Sequence, residues 1–219
     1  MRLRQIIGPT KKDQEFCVGD FLNKGPASQE VLRFLQKSSI RSVRGNHEDR
    51  FLRYHQNRRF ACNRVQLKEE ELKLYHTLSL KDFDYLASLP IAIFLDHLTI
   101  VHAGVLPSTN LRALDKKEAA KVMRVRYLDE EGRFVHLDDS DPSLHFWWSE
   151  LYDGRYGKIV YGHQPFVVPR VDRWSFGIDT GAVYGNFLTA IVFEDDFSFV
   201  SVPSKAYAKK EAMWILPNL

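Results

Sequence analysis

The sequence predicts an α/β fold, because one local pattern occurs twice near its start. Residues 16–18 form a short apolar run, and a polar loop separates them from apolar residues at helical spacing over residues 31–35, with Ser28 as the expected N-cap. Residues 40–43 are a second apolar run that again ends in a polar loop. Strands and helices that alternate in this way are typical of α/β layers. With 219 residues, of which 44% are hydrophobic, the chain can form one packed core.

The first half of the chain is otherwise helical in pattern. A helix end is expected at residues 3–7, where Gly8 and Pro9 close it. The apolar positions between residues 49 and 89 recur mostly at helical spacing, and Pro90 ends that block.

The second half predicts short strands around an insertion. Residues 91–95 and 98–101 are expected to form a hairpin with Asp96 and His97 at its turn. Residues 107–145 are polar and weakly periodic, so we expect an irregular insertion there, with one helix near residues 116–126. The remaining predicted strands cover residues 158–161, 176–181, 188–193 and 197–202.

The composition narrows the class of protein. The two cysteines cannot build a disulfide framework, which favours a reducing compartment. The first residues contain no apolar segment of signal-peptide length, and no run of about 18 apolar residues occurs elsewhere. We therefore expect a cytoplasmic protein with no membrane partner.

Positive charge is concentrated in one segment, although the net charge is only +3. Between Arg41 and Arg64 the chain has seven arginines against two acidic residues, a local excess of five positive charges. A solvated helix face explains most such runs. Arginine forks also suit phosphate oxygens, so a polyanionic substrate is the second interpretation of this segment.

Residues that bind metals or move protons follow four of the apolar runs. Asp20, Asn46 with His47, His102 and His163 stand where these predicted strands end. Side chains at the carboxyl ends of neighbouring strands converge in one crevice. A mixed set of oxygen and nitrogen donors suits Mn, Fe or Zn better than Mg or Ca. The spacing therefore predicts one metal-binding site.

The motifs around these residues resemble those of a known family. They are GDFLNKG at residues 19–25, RGNHE at 44–48, HAG at 102–104 and GH at 162–163. In this order they resemble the calcineurin-like metallophosphoesterases, in particular the branch of the phosphoprotein phosphatases and bacterial diadenosine tetraphosphatases. The resemblance implies a two-sheet β-sandwich flanked by helices, in four layers. It places this domain at residues 1–202 and leaves residues 203–219 as a C-terminal tail.

The resemblance also implies a metal centre. Members of the family use two divalent metal ions, commonly Mn, with Fe or Zn as alternatives, and a hydroxide shared by the two ions attacks phosphorus in line. By motif, Asp20 would bridge the two metals. Asn46, His102 and His163 would complete the shell of the second metal.

The same motifs imply roles in catalysis and substrate binding. His47 would be the general acid that protonates the leaving oxygen. Arg44 and Lys24 would hold phosphate oxygens, and Arg155 is a further candidate for that role. Asn23 stands where the family usually has an aspartate that orients the acid histidine, and Lys24 stands where it has an arginine. We expect these two changes to shift substrate preference more than to abolish activity.

A second departure concerns the first metal. The family's opening strand ends in an Asp-x-His pair that ligates this metal, and no Asp-x-His occurs in this sequence. The expectation is an N-terminally incomplete domain that lacks roughly 20 to 30 residues, a length set by one strand, a turn and a helix. A start placed too far downstream, a truncation and a true one-metal variant are all left open.

The predicted function is metal-dependent hydrolysis of phosphate esters or anhydrides. The substrate is either a phosphomonoester such as phosphoserine or phosphothreonine in a protein, or a dinucleoside polyphosphate cleaved as by a symmetrical bis(nucleosyl)-tetraphosphatase. The sequence slightly favours a broad phosphatase. The rival is a pseudophosphatase or binding module with the same fold and an incomplete metal centre. A nucleic-acid binder, which the arginine segment alone supports, is the least favoured interpretation.

Overall fold

The computed structural model of the chain describes residues 1–60 and 65–207. The helices are α1 (Arg2–Ile7), α2 (Ser28–Lys37), α3 (Asn46–Arg59), α4 (Glu69–Thr77), α5 (Leu80–Ser88) and α6 (Lys116–Val122). The strands are β1 (Phe16–Cys17), β2 (Arg41–Ser42), β3 (Ala92–Phe94), β4 (Leu98–Val101), β5 (Tyr127–Leu128), β6 (Phe134–Val135), β7 (Phe146–Trp147), β8 (Lys158–Tyr161), β9 (Arg170–Asp172), β10 (Ser175–Gly177), β11 (Phe187–Phe193) and β12 (Phe197–Pro203).

A mixed sheet of order β3-β4-β8-β10-β9 forms the centre of the structure. Strands β4, β8 and β10 run parallel, while β3 and β9 pair antiparallel at the two edges. The hairpin of β3 and β4 is confirmed, with Ile93 opposite Ile100. A separate parallel pair, β1 and β2, and an antiparallel pair, β11 and β12, complete the strands that surround the site.

The apolar core joins these sheets. Ile100, Val160 and Phe176 of the central sheet are almost fully buried in one cluster with Val43, which follows β2. Ile191 of β11 and other side chains of β1 and β12 pack against the same cluster. Burial of these faces against each other is the main favourable contribution to folding. The predicted α/β class is confirmed.

Helices cover a second cluster beside the first. Leu32 of α2, Phe51 of α3 and Leu86 of α5 are fully buried there. The helix α2 begins one residue before the expected position, since its N-cap is Ala27 and Ser28 is the first helical residue. The Ser28 hydroxyl donates to the carbonyl of Gly25 instead of capping the helix.

The insertion at residues 107–145 is more ordered than expected. Its helix ends at Val122 rather than near residue 126, and a sheet of order β6-β5-β7 follows it. Each of these strands has only two residues, which is too short to show the alternation that identifies a strand in a sequence. Tyr127 and Leu128 of β5 are buried, so the insertion contributes to the core.

The C-terminal boundary stays a prediction. Strand β12 extends to Pro203, and the backbone N–H of Tyr207 donates to the carbonyl of Val183. The rest of the predicted tail, residues 208–219, lies outside the described residues, as do residues 61–64. Within the described part of the chain, none of the helices has the length and apolar character needed to cross a bilayer.

A buried carboxylate joins the loops that follow β1 and β2. Glu48, in the first turn of α3, has 0% relative exposure and accepts backbone N–H groups of Asp20, Leu22 and Gly45 at 2.8, 3.0 and 2.9 Å. A Cβ on Gly45 would lie 2.6 Å from the backbone nitrogen of Asp20, so only glycine permits this approach. Burial, followed by the charge of Asp20, raises the pKa of Glu48 to about 7.

We expect Glu48→Ala to lower the free energy of unfolding by about 3 kcal/mol, because three buried N–H groups lose their acceptor. The matched control is Glu118→Ala, which removes the glutamate at the same position of α6, where it caps one exposed N–H of Asp115. That change should cost less than about 1 kcal/mol. Urea unfolding in a chelating buffer measures both variants, and equal shifts of their midpoints would contradict the role given to Glu48.

Candidate functional site

The four residues predicted as metal ligands lie together. Asp20 follows β1, Asn46 is the first residue of α3 after the loop that follows β2, His102 follows β4 and His163 follows β8. One potential ligand atom from each of Asp20, His102 and His163 lies within 4.8 Å of the others. Asn46 Oδ1 is 3.0 Å from His102 Nε2. The parallel pairing of β1 with β2 and of β4 with β8 accounts for this convergence.

The orientation of His102 shows that this cluster suits a cation. Its Nδ1 lies 2.7 Å from the carbonyl oxygen of Val18, which can only accept, so Nδ1 carries a proton. Its Nε2 therefore directs a lone pair toward the cluster when the ring is neutral. Asp20 Oδ2, Asn46 Oδ1 and His163 Nδ1 lie 3.2, 3.0 and 3.2 Å from that nitrogen. Several lone pairs thus meet at one point, as they do around a metal ion.

The electrostatics of the cluster favour positive charge. Burial opposes ionisation of Asp20, but His102 and His47 hold the pKa of its carboxyl well below the usual range. Burial lowers the pKa of His102, but the charge of Asp20 and its hydrogen bond outweigh burial, so this pKa is raised overall. A divalent cation would compete with that proton for the same place.

His163 differs from His102 in its surroundings. Burial, and then the charge of Arg126, lower the pKa of His163 well below its usual value. Its Nε2 is buried and forms no hydrogen bond with any residue that the structure describes. Its φ is +69°, in the left-handed region, and that of Asp20 is +57°. Strained backbone of this kind is concentrated at functional sites. The residues present therefore fit a bound metal ion.

His47 stands beside this cluster, at the wall of a pocket. Its Nε2 is 3.8 Å from Asp20 Oδ2, and its Nδ1 is 3.2 Å from Asn23 Nδ2. Burial lowers the pKa of His47, although Asp20 raises it in part. Asp20, Asn23, Lys24 and His163 line the same pocket. Together with His47, five of the predicted site residues therefore face one cavity.

Another part of the pocket lining comes from the segment after β10 and from the first residues of β11. Its lining is largely apolar, with Ile178, Val183 and Leu188 among the residues. Tyr184 also lines the pocket, and Lys24 Nζ donates to its hydroxyl at 2.9 Å. The pocket therefore has a charged side and an apolar side. The charged side lies next to the metal-ligand cluster, by which we mean the predicted ligands Asp20, Asn46, His102 and His163, and the apolar side lies next to β11.

The two arginines predicted to bind phosphate, Arg44 and Arg155, are not among the residues that line this pocket, and their role stays a prediction. Arg44 Nη2 donates to the carbonyl of Ala87 at 2.6 Å, and Arg155 pairs with Asp153 and donates to the carbonyl of Pro107. Neither arginine lines the pocket.

Arginines of the arginine-rich segment form ion pairs with other residues of the fold. Arg50 pairs with Glu71 at 3.3 Å, and Arg53 lies 3.9 Å from Asp49. Arg64 lies outside the described residues.

Two residues near the cluster were not predicted as site residues. Arg126 is partly buried; burial lowers its pKa, whereas the nearby charges of Asp20, Tyr184 and Asp179 raise it. Burial raises the pKa of Asp179, which lines the pocket. Arg126 follows α6 in the segment expected to be irregular and belongs to none of the motifs. Asp179 lies within the GIDTG sequence at residues 177–181, where a carboxylate between two glycines is the local feature that points to a site residue.

Comparisons with known proteins agree with this geometry. Residues 1–193 match the family described as calcineurin-like phosphoesterase. The protein named bis(5'-nucleosyl)-tetraphosphatase PrpE [asymmetrical] from Bacillus subtilis is 31% identical over 211 residues, which cover 85% of this chain and 78% of that protein. A protein of the same name from Halalkalibacterium halodurans is 30% identical over 203 residues, 86% of this chain and 78% of the relative.

Solved structures share the fold. One named "putative diadenosine tetraphosphatase" has a TM-score of 0.74 at 22% identity and covers 93% of this chain and 86% of its own. A metallophosphoesterase from Sphaerobacter thermophilus has a TM-score of 0.52 at 15% identity, with coverages of 93% and 82%. From its motifs, the geometry of its site and the match over residues 1–193, the chain belongs to the calcineurin-like phosphoesterases, a family of metal-dependent hydrolases.

Proposed function

We propose that this chain hydrolyses dinucleoside polyphosphates at the pocket beside Asp20, His102 and His163. The observation that carries the proposal is the position of these three side chains, whose ligand atoms lie within 4.8 Å of one another, with Asp20 and His163 lining the pocket. The names of the relatives support a nucleotide substrate. This differs from the sequence-based preference for a broad phosphatase.

The metal would be held by Asp20, Asn46, His102 and His163. One carboxylate, one amide oxygen and two imidazoles form a donor set that suits Mn, Fe or Zn, and we infer manganese. When bound, such a cation polarises a phosphoryl oxygen and lowers the pKa of a coordinated water. Two ions remain our proposal for the family's reaction, although the sequence offers no Asp-x-His pair for the first of them.

The chain's own residues would bind the substrate and stabilise the charge that develops during reaction. Lys24 presents a positive charge at the pocket wall, and Arg126 lies close enough to Asp20 to affect its electrostatics. Fixed positive charge beside a phosphoryl group is worth more in a partly buried site than in water. His47 directs Nε2 toward the same wall, where it can donate to the leaving oxygen.

The apolar wall favours a nucleotide over a phosphorylated side chain. Ile178, Val183 and Leu188, with the ring of Tyr184, offer a surface against which a nucleobase can pack. A phosphoserine has no corresponding group. We also retain the prediction of a cytoplasmic location, on the sequence arguments given above.

We expect asymmetrical cleavage, which is the cleavage that the names of the relatives state for those proteins, in place of the symmetrical cleavage predicted from the sequence motifs. With diadenosine tetraphosphate and Mn²⁺, cleavage beside the first phosphorus should give ATP and AMP, resolved by ion-exchange chromatography. Two molecules of ADP would instead indicate symmetrical cleavage. Faster turnover of a phosphopeptide than of the dinucleotide would favour the phosphoprotein substrate, and metal binding without any turnover would favour the pseudophosphatase.

His163→Ala should weaken binding of Mn²⁺ at least about 100-fold and abolish hydrolysis, because it removes a proposed ligand. The control is His97→Ala, since His97 is exposed at the hairpin turn. Calorimetric titration of the protein with Mn²⁺ measures the first effect independently of turnover. Equal Mn²⁺ affinity in the two variants would exclude His163 as a ligand.

Lys24→Gln should lower kcat/KM for diadenosine tetraphosphate by about 100-fold, because a fixed positive charge beside the phosphates is lost. Lys121→Gln, on the exposed surface of α6, removes the same charge at a residue that does not line the pocket and should leave kcat/KM unchanged. Both variants should keep the circular dichroism spectrum of the unchanged protein. A similar loss in both would attribute the effect to overall charge rather than to Lys24.

A further inference from the structure

Glu71 is a buried carboxylate that the proposed function leaves unused. It lies in the first turn of α4 with 3% relative exposure. Its Oε2 accepts the backbone N–H of Lys68 at 2.7 Å and lies 3.3 Å from Arg50 Nη2. Its Oε1 faces in another direction and lies 2.9 Å from Asn23 Nδ2. One oxygen therefore serves the helix, while the other contacts a residue of the pocket wall.

The contact with Glu71 determines the orientation of the Asn23 side-chain amide. A carboxylate oxygen can only accept, so Asn23 must turn its NH₂ group toward Glu71. The same NH₂ group lies 3.2 Å from His47 Nδ1 and has a second hydrogen for it. His47 Nδ1 therefore acts as an acceptor, and in the neutral ring the proton sits on Nε2.

The consequence appears in the pocket, because Nε2 is the ring nitrogen on the side of the metal-ligand cluster. It is 3.8 Å from Asp20 Oδ2, and His47 lines the pocket together with Lys24. A proton on Nε2 can be presented to an oxygen bound there. A proton on Nδ1 would instead point back toward Asn23.

We propose that Glu71 is a positioning residue for His47. Through the Asn23 amide it selects the tautomer of His47 that carries its proton on Nε2, facing the pocket. The catalytic value of this arrangement rests on the proposed function, whereas the tautomer itself is a property of the protein without substrate.

A purely structural role for Glu71 would be to cap α4 and pair with Arg50, and Glu71→Gln separates the two roles. The glutamine oxygen can stay with Lys68 and Arg50, so the cap is retained. Its NH₂ group then faces Asn23, whose amide turns over and directs Oδ1 to His47. His47 must then place its proton on Nδ1. The control is Glu70→Gln, an exposed glutamate in the same turn of the same helix.

The test is ¹⁵N NMR of the full chain labelled at histidine, in a chelating buffer at pH 8, where ordinary imidazoles are neutral. The His47 signals are those missing from His47→Gln. We expect the pattern of an Nε2–H ring in the unchanged protein and in Glu70→Gln, and that of an Nδ1–H ring in Glu71→Gln. An Nδ1–H ring in the unchanged protein, or an Nε2–H ring in Glu71→Gln, would overturn the proposal.

Kinetics of the Mn²⁺-loaded protein then test the value of this positioning. Glu71→Gln should lower kcat by about 10-fold or more and leave KM unchanged, while Glu70→Gln changes neither. An unchanged kcat in Glu71→Gln despite a switched tautomer would overturn the role in turnover. A switched tautomer in a protein that hydrolyses no dinucleotide would leave the positioning intact and refute the proposed function instead.

Discussion

The site depends on the three hydrogen bonds that the Glu48 carboxylate accepts. Its oxygens join the loop after β1 to the loop after β2, and these loops supply Asp20 and Asn46 with His47. Strands β1 and β2 pair over only two residues each, so their ladder alone gives little rigidity. The buried Glu48 side chain, which accepts three backbone N–H groups, stabilises these loops in place of a longer strand pairing. His102 and His163, the proposed ligands from the central sheet, then meet loops that are already fixed.

Much of this arrangement is visible in the sequence, because short apolar runs that end in charged residues leave few alternatives. The hairpin of β3 and β4, the strand β8 and the convergence of Asp20, Asn46, His102 and His163 all follow from local patterns. These features depend on strands that are buried on both faces, and such strands appear in a sequence as continuous apolar runs. Their ends are therefore marked by the first polar residue.

The rest depends on contacts between residues far apart in the chain. Nothing near Arg44 indicates that its guanidinium binds the carbonyl of Ala87, 43 positions away. Glu71 is one of three consecutive glutamates in the sequence, and α4 turns it alone into the interior. Arg126 follows a helix in an insertion whose strands are too short for a periodic pattern. In each case the tertiary structure, rather than local preference, decides which of several similar side chains reaches the site.

The left-handed backbone of residues that line the pocket limits how this protein can be made more stable. Asp20, Asn23 and Lys24 all have positive φ, a conformation that glycine adopts with less strain. Selection for heat resistance alone would therefore be expected to collect glycines at positions 23 and 24. Each such change would remove a side chain that lines the pocket, so under the proposed function gains in stability and losses of turnover would arise at the same positions. An engineer who wants both stability and turnover should leave residues 20–24 unchanged. Stabilising substitutions should be sought instead in the helices that cover Leu32, Phe51 and Leu86.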